Sequence, residues 1–240
     1  MVKTHRGTIS VNDCQVLAHY QFEADQYIIT LESKEIADST RPGQFVHLSV
    51  SGMLAMRRPI SVMSVDADNG TFDLLYKIVG EGTKQLADRR IGDVLSVIGP
   101  IGNGFELTDR KIPLLIGGGV GMPPMIAIAQ KIKDNAYYNP YVILGSEVPF
   151  PFKASQSSLN GFNSSKFYTM PLLEEWRVPC GLASLQDYEG VYKGYVTDLA
   201  REYLDSLSSS DLKEVEVFTC GPNPMLEAVS KLSNEYNLPC

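Results

Sequence analysis

The 240-residue sequence has few of the residues from which metal sites and hydrolytic centres are built: three histidines, four cysteines and one tryptophan. His5, His19 and His47 are scattered, and Cys14, Cys180, Cys220 and Cys240 lie far apart with no C-x-x-C pair. That spacing argues against a structural zinc site, and no metal ligand set is expected. G-x-S-x-G, Walker A and H-E-x-x-H motifs are all missing. No apolar run approaches the ~18 residues of a membrane span, so no membrane partner is expected. The polar start, "MVKTHRGTIS", lacks the apolar core of a signal peptide, which points to a cytoplasmic chain with reduced thiols. "NSS" at 163–165 matches a glycosylation sequon but has no secretory signal to give it meaning. Positive charge is also scarce: the formal net charge of -7 argues against a nucleic-acid partner. The pairs Arg57-Arg58 and Arg89-Arg90 are local and suit a small anion.

What is present falls into two textures. From about residue 5 to 105, short β-runs alternate with turns such as "RPG" (41–43) and "DADNG" (66–70). Six strands at near-regular spacing predict an antiparallel barrel or sandwich. A short helix is expected at "TKQLADR", capped by Thr83. From about residue 112, strands alternate with helices: "IPLLIGGG", then "PPMIAIAQKIKDN", "PYVILGS", a third strand in "KFYTMPL", a helix "TDLAREYLDSL" capped by Thr197, the strand "EVEVFTCG", and a closing helix with Asn223 as N-cap and Pro224 at N1. Met225, Val229, Leu232 and Tyr236 form that helix's apolar stripe. This alternation predicts a doubly wound parallel sheet. The expected division is 1–108 and 109–240.

The segment "LLIGGGVGMPPM" places Gly117, Gly118, Gly119 and Gly121 between a strand and a helix. Glycines there let the backbone approach a pyrophosphate at a helix N-terminus. The strict G-x-G-x-x-G fingerprint fails, and Pro123 and Pro124 fit a first helical turn, where the N–H would be unpaired anyway. Tight packing of the turn explains the glycines equally well. The balance shifts with "FTCGPNPM", where Cys220, Gly221 and Pro222 end a later strand on what would be the same sheet edge. Gly145, Ser146 and Glu147 end another. An acid there favours an unphosphorylated ribose, although Glu147 can equally be a solvated loop charge. In the first half, Arg58 and Ser61 share one strand segment away from the core face, and Gly82 and Thr83 open a helix.

In this order the segments resemble the ferredoxin–NADP reductase superfamily along nearly the whole chain. Its R-x-[YF]-S flavin motif is matched by Arg58-Pro59-Ile60-Ser61, its glycine turn by "GGGVGMPP", and its C-G-P by Cys220-Gly221-Pro222. "RRPIS", "YKIVGEGT", "GPIGNGF" and "GGGVGMPP" together are most similar to the electron-transfer subunits of two-subunit (class 1B) dihydroorotate dehydrogenases. The resemblance implies a six-stranded Greek-key barrel holding FAD through Arg58, Pro59, Ile60, Ser61, Leu75, Tyr76, Lys77, Gly82 and Thr83. It implies an α/β domain holding NAD(H) through Gly117, Gly118, Gly119, Val120, Gly121, Pro123, Gly145, Ser146, Glu147, Cys220, Gly221, Pro222 and Met225. Ser61 and Cys220 would flank the reacting rings during hydride transfer from NADH to FAD. The implied partner is an FMN-containing catalytic subunit that oxidises dihydroorotate, placing the chain in pyrimidine biosynthesis. The family's [2Fe–2S] cluster is held by C-x4-C-x2-C with a fourth cysteine, spacing that these four cysteines do not match. The sequence therefore leaves open a truncated chain, or a homologue that works without the cluster. A stand-alone NAD(P)H:flavin or ferredoxin-type reductase, a subunit of another redox complex, and a non-catalytic FAD-binding scaffold are the alternatives.

Overall fold

Period-two alternation in the first hundred residues is strong enough to fix which face of each strand turns inward. The computed structural model describes residues 9–50, 56–159 and 168–240. Its first elements are β1 (Ser10–Phe22), β2 (Gln26–Glu32), α1 (Lys34–Ser39), β3 (Phe45–Ser49), β4 (Arg58–Asp66), β5 (Thr71–Lys77), α2 (Glu81–Ala87) and β6 (Val94–Ile101). The six strands close into a barrel in the order β1-β2-β5-β4-β3-β6, with antiparallel neighbours. β3, β4 and β5 form a meander and β6 returns beside β3, which is a Greek key. Alternate residues fill the interior: Val16, Ile29, Leu31, Val46, Leu48, Ile60, Val62, Phe72, Leu74, Tyr76, Leu95 and Val97. Ile36 of α1 and Leu86 of α2 join the same core.

Two local expectations change. α1 was not anticipated; its six residues are too few for periodicity to show, though Ser33 caps it by accepting from Ile36 N at 3.3 Å. Thr83 is not the N-cap of α2. Gly80 is, and Thr83 stands three residues inside, its hydroxyl accepting from Val79 N (2.9 Å) and Gly80 N (3.2 Å) and donating to Gly80 O (3.0 Å).

The chain divides into two compact units between Phe105 and Glu106. The second contains β7 (Ile112–Gly118), α3 (Met122–Ile132), β8 (Tyr141–Gly145), β9 (Ser155–Gln156), β10 (Tyr168–Thr169), α4 (Pro171–Glu175), β11 (Cys180–Ser184), β12 (Tyr192–Lys193), α5 (Val196–Ser206), α6 (Ser209–Leu212), β13 (Val215–Cys220) and α7 (Asn223–Glu235). A single 3-10 turn, Gly119–Gly121, links β7 to α3. Five strands pair in parallel in the order β12-β11-β8-β7-β13. Strands buried on both faces carry continuous apolar runs, and β7 and β8 are buried at every residue. Leu199, Tyr203, Val229 and Leu232 of α5 and α7 pack on one sheet face with Ile112, Leu114, Ile116 and Val217.

The expected strand in "KFYTMPL" is corrected. Lys166 and Phe167 lie outside the described residues, as does the sequon at 163–165; Tyr168–Thr169 pair only with Ser155–Gln156 in a separate two-stranded ribbon. The sheet's third long strand is β11, whose "CGLAS" is too small and too short to register as a buried run. Two caps also shift. Tyr195, not Thr197, caps α5, with Asp198 accepting from its N–H at 3.1 Å. Pro222, not Asn223, caps α7, so Pro224 falls at the second helical position.

Candidate functional site

On the barrel, the residues of interest sit where two neighbouring strands part. β4 and β5 pair from Asp66↔Thr71 up to Val62↔Leu74. Beyond that, Arg58–Ser61 ladder only with β3, and Leu75–Lys77 only with β2. The seam between "RPIS" and "LYK" is therefore open, leaving backbone groups of two strands facing a gap without ladder partners.

Side-chain direction sorts the residues lining that seam. Ile60 and Tyr76 belong to the barrel core cluster, which leaves their backbone on the seam side. Ser61 and Leu75 fall on the opposite parity, outside the core cluster, and Pro59 is exposed. Arg58 reaches over α2: a Cβ on Gly82 would lie 2.5 Å from the Arg58 Cζ. Only glycine leaves room for the guanidinium there, and Arg58 Nη1 is steadied by Met56 O at 2.9 Å. The Thr83 hydroxyl, by contrast, is fully engaged by the 79–80 turn, so this residue offers its backbone rather than its side chain.

Two other arginines of the barrel, Arg57 and Arg89, are committed elsewhere. Arg57 donates to Ser96 O (2.7 Å), Ser96 Oγ (3.0 Å) and His47 O (3.4 Å), tying β4 to β6 and β3. Arg89 donates to Val50 O and faces Asp93 at 3.9 Å. Of the two pairs, Arg57 and Arg89 are held by the barrel, while Arg58 lies across Gly82 and Arg90 is exposed.

In the second unit, register brings the glycine stretch and its companions to one sheet edge. Cys220 is level with Gly117, and Gly145 with Gly118, all at carboxyl ends of parallel strands. The two turns interlock. A Cβ on Gly121 would meet the Cys220 carbonyl and stand 2.7 Å from Gly221 N; on Gly117 it would stand 2.9 Å from Met122 Cα. On Gly118 or Gly221 it would stand 2.5 Å from Met225, at Sδ and Cε respectively. Packing accounts for these four glycines. Gly119 differs: its φ is +56 and a Cβ there would point into open space, beside exposed Val120. That residue is where a ligand can approach the backbone. Pro123 and Pro124 are buried in the first turn of α3.

Further along the edge, Glu147 is exposed and Ser146 buried, its hydroxyl accepting from Val148 N at 3.4 Å. Ser184 was not anticipated, because β11 itself was not. Its hydroxyl donates to Ser146 O (2.7 Å) and accepts from Gln186 N (3.1 Å), fixing the ends of β8 and β11 together. Cys220 is half-buried, and burial pushes its thiol above the usual cysteine value, so it stays protonated at neutral pH. Pro222 is exposed at the start of α7.

The cysteines do not converge. Cys14 is inside the barrel; Cys180 and Cys220 lie on β11 and β13, separated by β8 and β7, hence by roughly 14 Å at the usual strand spacing. Among the described residues no group of three or more His, Cys, Asp or Glu is placed to hold a metal ion, and no helix is long and apolar enough to cross a membrane.

Residues 13–105 match the family of oxidoreductase FAD-binding domains. The chain is 33% identical over 225 residues to the dihydroorotate dehydrogenase B (NAD(+)) electron transfer subunit of Listeria innocua, covering 90% of this chain and 77% of the relative. With the protein of the same description from Shouchella clausii it shares 32% identity over 215 residues, covering 86% and 72%. Among solved structures, an NADH-dependent reduced ferredoxin-NADP oxidoreductase superposes with a TM-score of 0.75 at 22% identity, covering 94% of this chain and 73% of the other. The cytochrome b5 reductase domain of Ulva prolifera nitrate reductase gives 0.68 at 17% identity, covering 95% and 94%. These likenesses show that the barrel followed by a parallel-sheet unit is a ferredoxin reductase-like fold.

Proposed function

This chain belongs to the family of dihydroorotate dehydrogenase B (NAD(+)) electron transfer subunits, and from that membership we propose that it carries electrons through FAD between nicotinamide and a separate catalytic subunit, towards NAD+ when that subunit oxidises dihydroorotate and from NADH when it reduces orotate. It is an FAD-dependent oxidoreductase by family. The observation that carries the detailed reading is the Arg58 guanidinium lying across Gly82, beside a seam that β4 and β5 leave open. That seam fits FAD: a cation and a side-chain-free surface for the pyrophosphate, unladdered backbone for the flavin edge, and Ser61 on the outward parity.

When bound, FAD supplies acceptance of hydride from nicotinamide and onward release of electrons. The chain's own part is placement. Arg58 offsets pyrophosphate charge, with the backbone of Gly82 and Thr83 near it. Leu75 and Pro59 exclude water, and Lys77 and the Ser61 hydroxyl offer polar contacts. In the second unit, Gly119 admits the nicotinamide nucleotide's phosphates to the backbone next to Val120, while Gly117, Gly118 and Gly121 hold the turn in shape. Gly145, Ser146 and Glu147 receive the ribose, and Glu147 disfavours a 2′-phosphate, so NADH is the proposed donor. Cys220, with Gly221, Pro222 and Met225, takes the nicotinamide side. The neutral thiol packs rather than attacks.

The described cysteines do not fit a [2Fe–2S] cluster, so no step is routed through one. This placement favours a second reading, in which the chain acts as an NAD(P)H:acceptor reductase without a cluster. Anaerobic titration of the flavin-loaded protein tests both. Bleaching of the flavin band near one equivalent of NADH, with NADPH much less effective, is the expected result. Failure to bind FAD at all would overturn the assignment of Arg58–Ser61. NADH-driven orotate reduction on adding an FMN-containing catalytic subunit selects the first reading; reduction of small acceptors alone selects the second.

A further inference from the structure

Tyr76 opens the "YKIVGEGT" segment yet points away from the seam, and its surroundings are unusual for a barrel interior. Its hydroxyl lies 2.8 Å from His19 Nε2, and His19 Nδ1 lies 2.9 Å from Arg89 O. A carbonyl can only accept, so Nδ1 carries a proton, and in the neutral ring Nε2 accepts from the Tyr76 O–H. Tyr76 also stacks on Tyr27, the residue it pairs with across the ladder, with ring centroids 5.3 Å apart and planes 13° apart. Burial, followed by Tyr27 and Asp88, raises the Tyr76 hydroxyl above its ordinary value, so it remains a donor throughout the useful pH range.

The position of this network matters because of what β5 lacks there. Leu74 is the last β5 residue laddered to β4; Leu75, Tyr76 and Lys77 are held by β2 alone, at the end of the strand. A strand end bonded on one side is the kind of segment that opens first. Leu75 and Lys77 take the opposite parity to Tyr76; Lys77 is half-buried, and Leu75 is buried outside the core cluster. His19 stands on β1, on the far side of β2, and through Arg89 O it also reaches the segment following α2.

We propose that His19 is a positioning residue for the flavin: by bonding Tyr76 and the Arg89 carbonyl, it steadies the end of β5 that only β2 ladders, and with it the placement of Lys77 and the Leu75 backbone beside the seam. The proposal rests on the seam being the flavin site. It assigns His19 no contact with the cofactor and no part in proton transfer.

The test uses the whole chain. Tyr76→Phe removes one hydroxyl and keeps the stack on Tyr27, so it serves as the variant certain to leave the packing intact. His19→Phe removes both bonds, and His19→Gln retains an acceptor for the tyrosine. FAD dissociation constants, visible circular dichroism of the bound flavin, and NADH reduction rates at saturating FAD are measured for each. Expected are an FAD constant raised about three- to tenfold in Tyr76→Phe and further in His19→Phe, with partial recovery in His19→Gln. The dichroism of the bound flavin changes while the reduction rate at saturation holds. Unchanged FAD affinity and dichroism in both Tyr76→Phe and a folded His19→Phe overturn the proposal. If the unaltered protein binds no FAD, the seam assignment falls first and takes the proposal with it. If FAD binds normally and is bleached by NADH in every variant alike, only the role of His19 falls.

Discussion

The barrel and the α/β unit prepare for their ligands in opposite ways. The barrel's proposed site is made of side chains that had to be aimed: Arg58 outward over Gly82, Ser61 on the solvent parity, Tyr76 inward on His19. The α/β edge is made of side chains left out, and most of those omissions serve the fold. Gly117, Gly118, Gly121 and Gly221 let two turns mesh, and Gly119 alone opens onto space. A basic residue in a barrel strand is thus poor testimony of a binding role until its hydrogen bonds are known. A glycine cluster at a strand end marks the right place, although few of its members face the ligand.

The sharpest way to break this comparison is within the glycine turn. Gly121→Ala forces a methyl against the Cys220 carbonyl and is expected to destabilise by about 1–3 kcal/mol, a fall in Tm of roughly 3–10 °C, with NADH-driven flavin reduction lost alongside. Gly119→Ala meets no atom and bears only the left-handed backbone cost, about 1–2 kcal/mol; its larger effect is a raised KM for NADH. Thermal melts beside steady-state kinetics separate the two, and a Gly119→Ala variant with unchanged KM for NADH would erase the division drawn between them.

The barrel offers the matching pair. Arg58→Ala is expected to weaken FAD binding about tenfold or more with the melt little changed, since a charge-assisted contact to the cofactor is lost. Arg57→Ala strips Ser96 and His47 of a donor and lowers stability by about 1.5–3 kcal/mol, while the folded fraction binds FAD normally. Equilibrium dialysis against FAD and denaturant unfolding decide it. Reversal of the two phenotypes would mean that the committed arginine is the functional one.

Smaller effects sharpen the edge of the sheet. Glu147→Arg is expected to move the NADH-to-NADPH preference by about tenfold towards NADPH, read as a ratio of kcat/KM values. The smallest effect concerns Glu174. Burial works to raise this carboxyl, but bonds from Ser158, Ser157 and Leu159 outweigh it, and the net position is below the ordinary value of 4.5. A depressed acid contributes stability above its unfolded value and loses it as pH falls through the folded one. Stability should therefore fall more steeply below about pH 4.5 in the wild type, and Glu174→Gln should flatten that part of the profile.

Much of this architecture was legible beforehand. Short β-runs at near-regular spacing marked the barrel, and the change to strand–helix alternation marked the parallel sheet. Pro123 and Pro124, odd in a nucleotide-binding turn, fit because the helix begins at Met122 and its first N–H groups need no partner. What was hidden had physical reasons. Cys180–Ser184 is a strand made of small residues, so no hydrophobic run announced it, and Ser184 was lost with it. Thr83 looked like a cap because a hydroxyl at a helix start usually is one; here it bonds backwards from inside the first turn. The fates of Arg57 and Arg89 depend on Ser96 and Val50, contacts that only the closed barrel creates.

Gly118, Gly221 and Met225 also set a rule for divergence. One thioether occupies the space two glycines vacate, so the three positions share a fixed volume. A lineage that enlarges 118 or 221 must shorten 225 in the same step or shortly after. Across descendants of this chain the trio should therefore drift as a unit, with the sulfur acting as a gauge of how closely the two turns are allowed to approach.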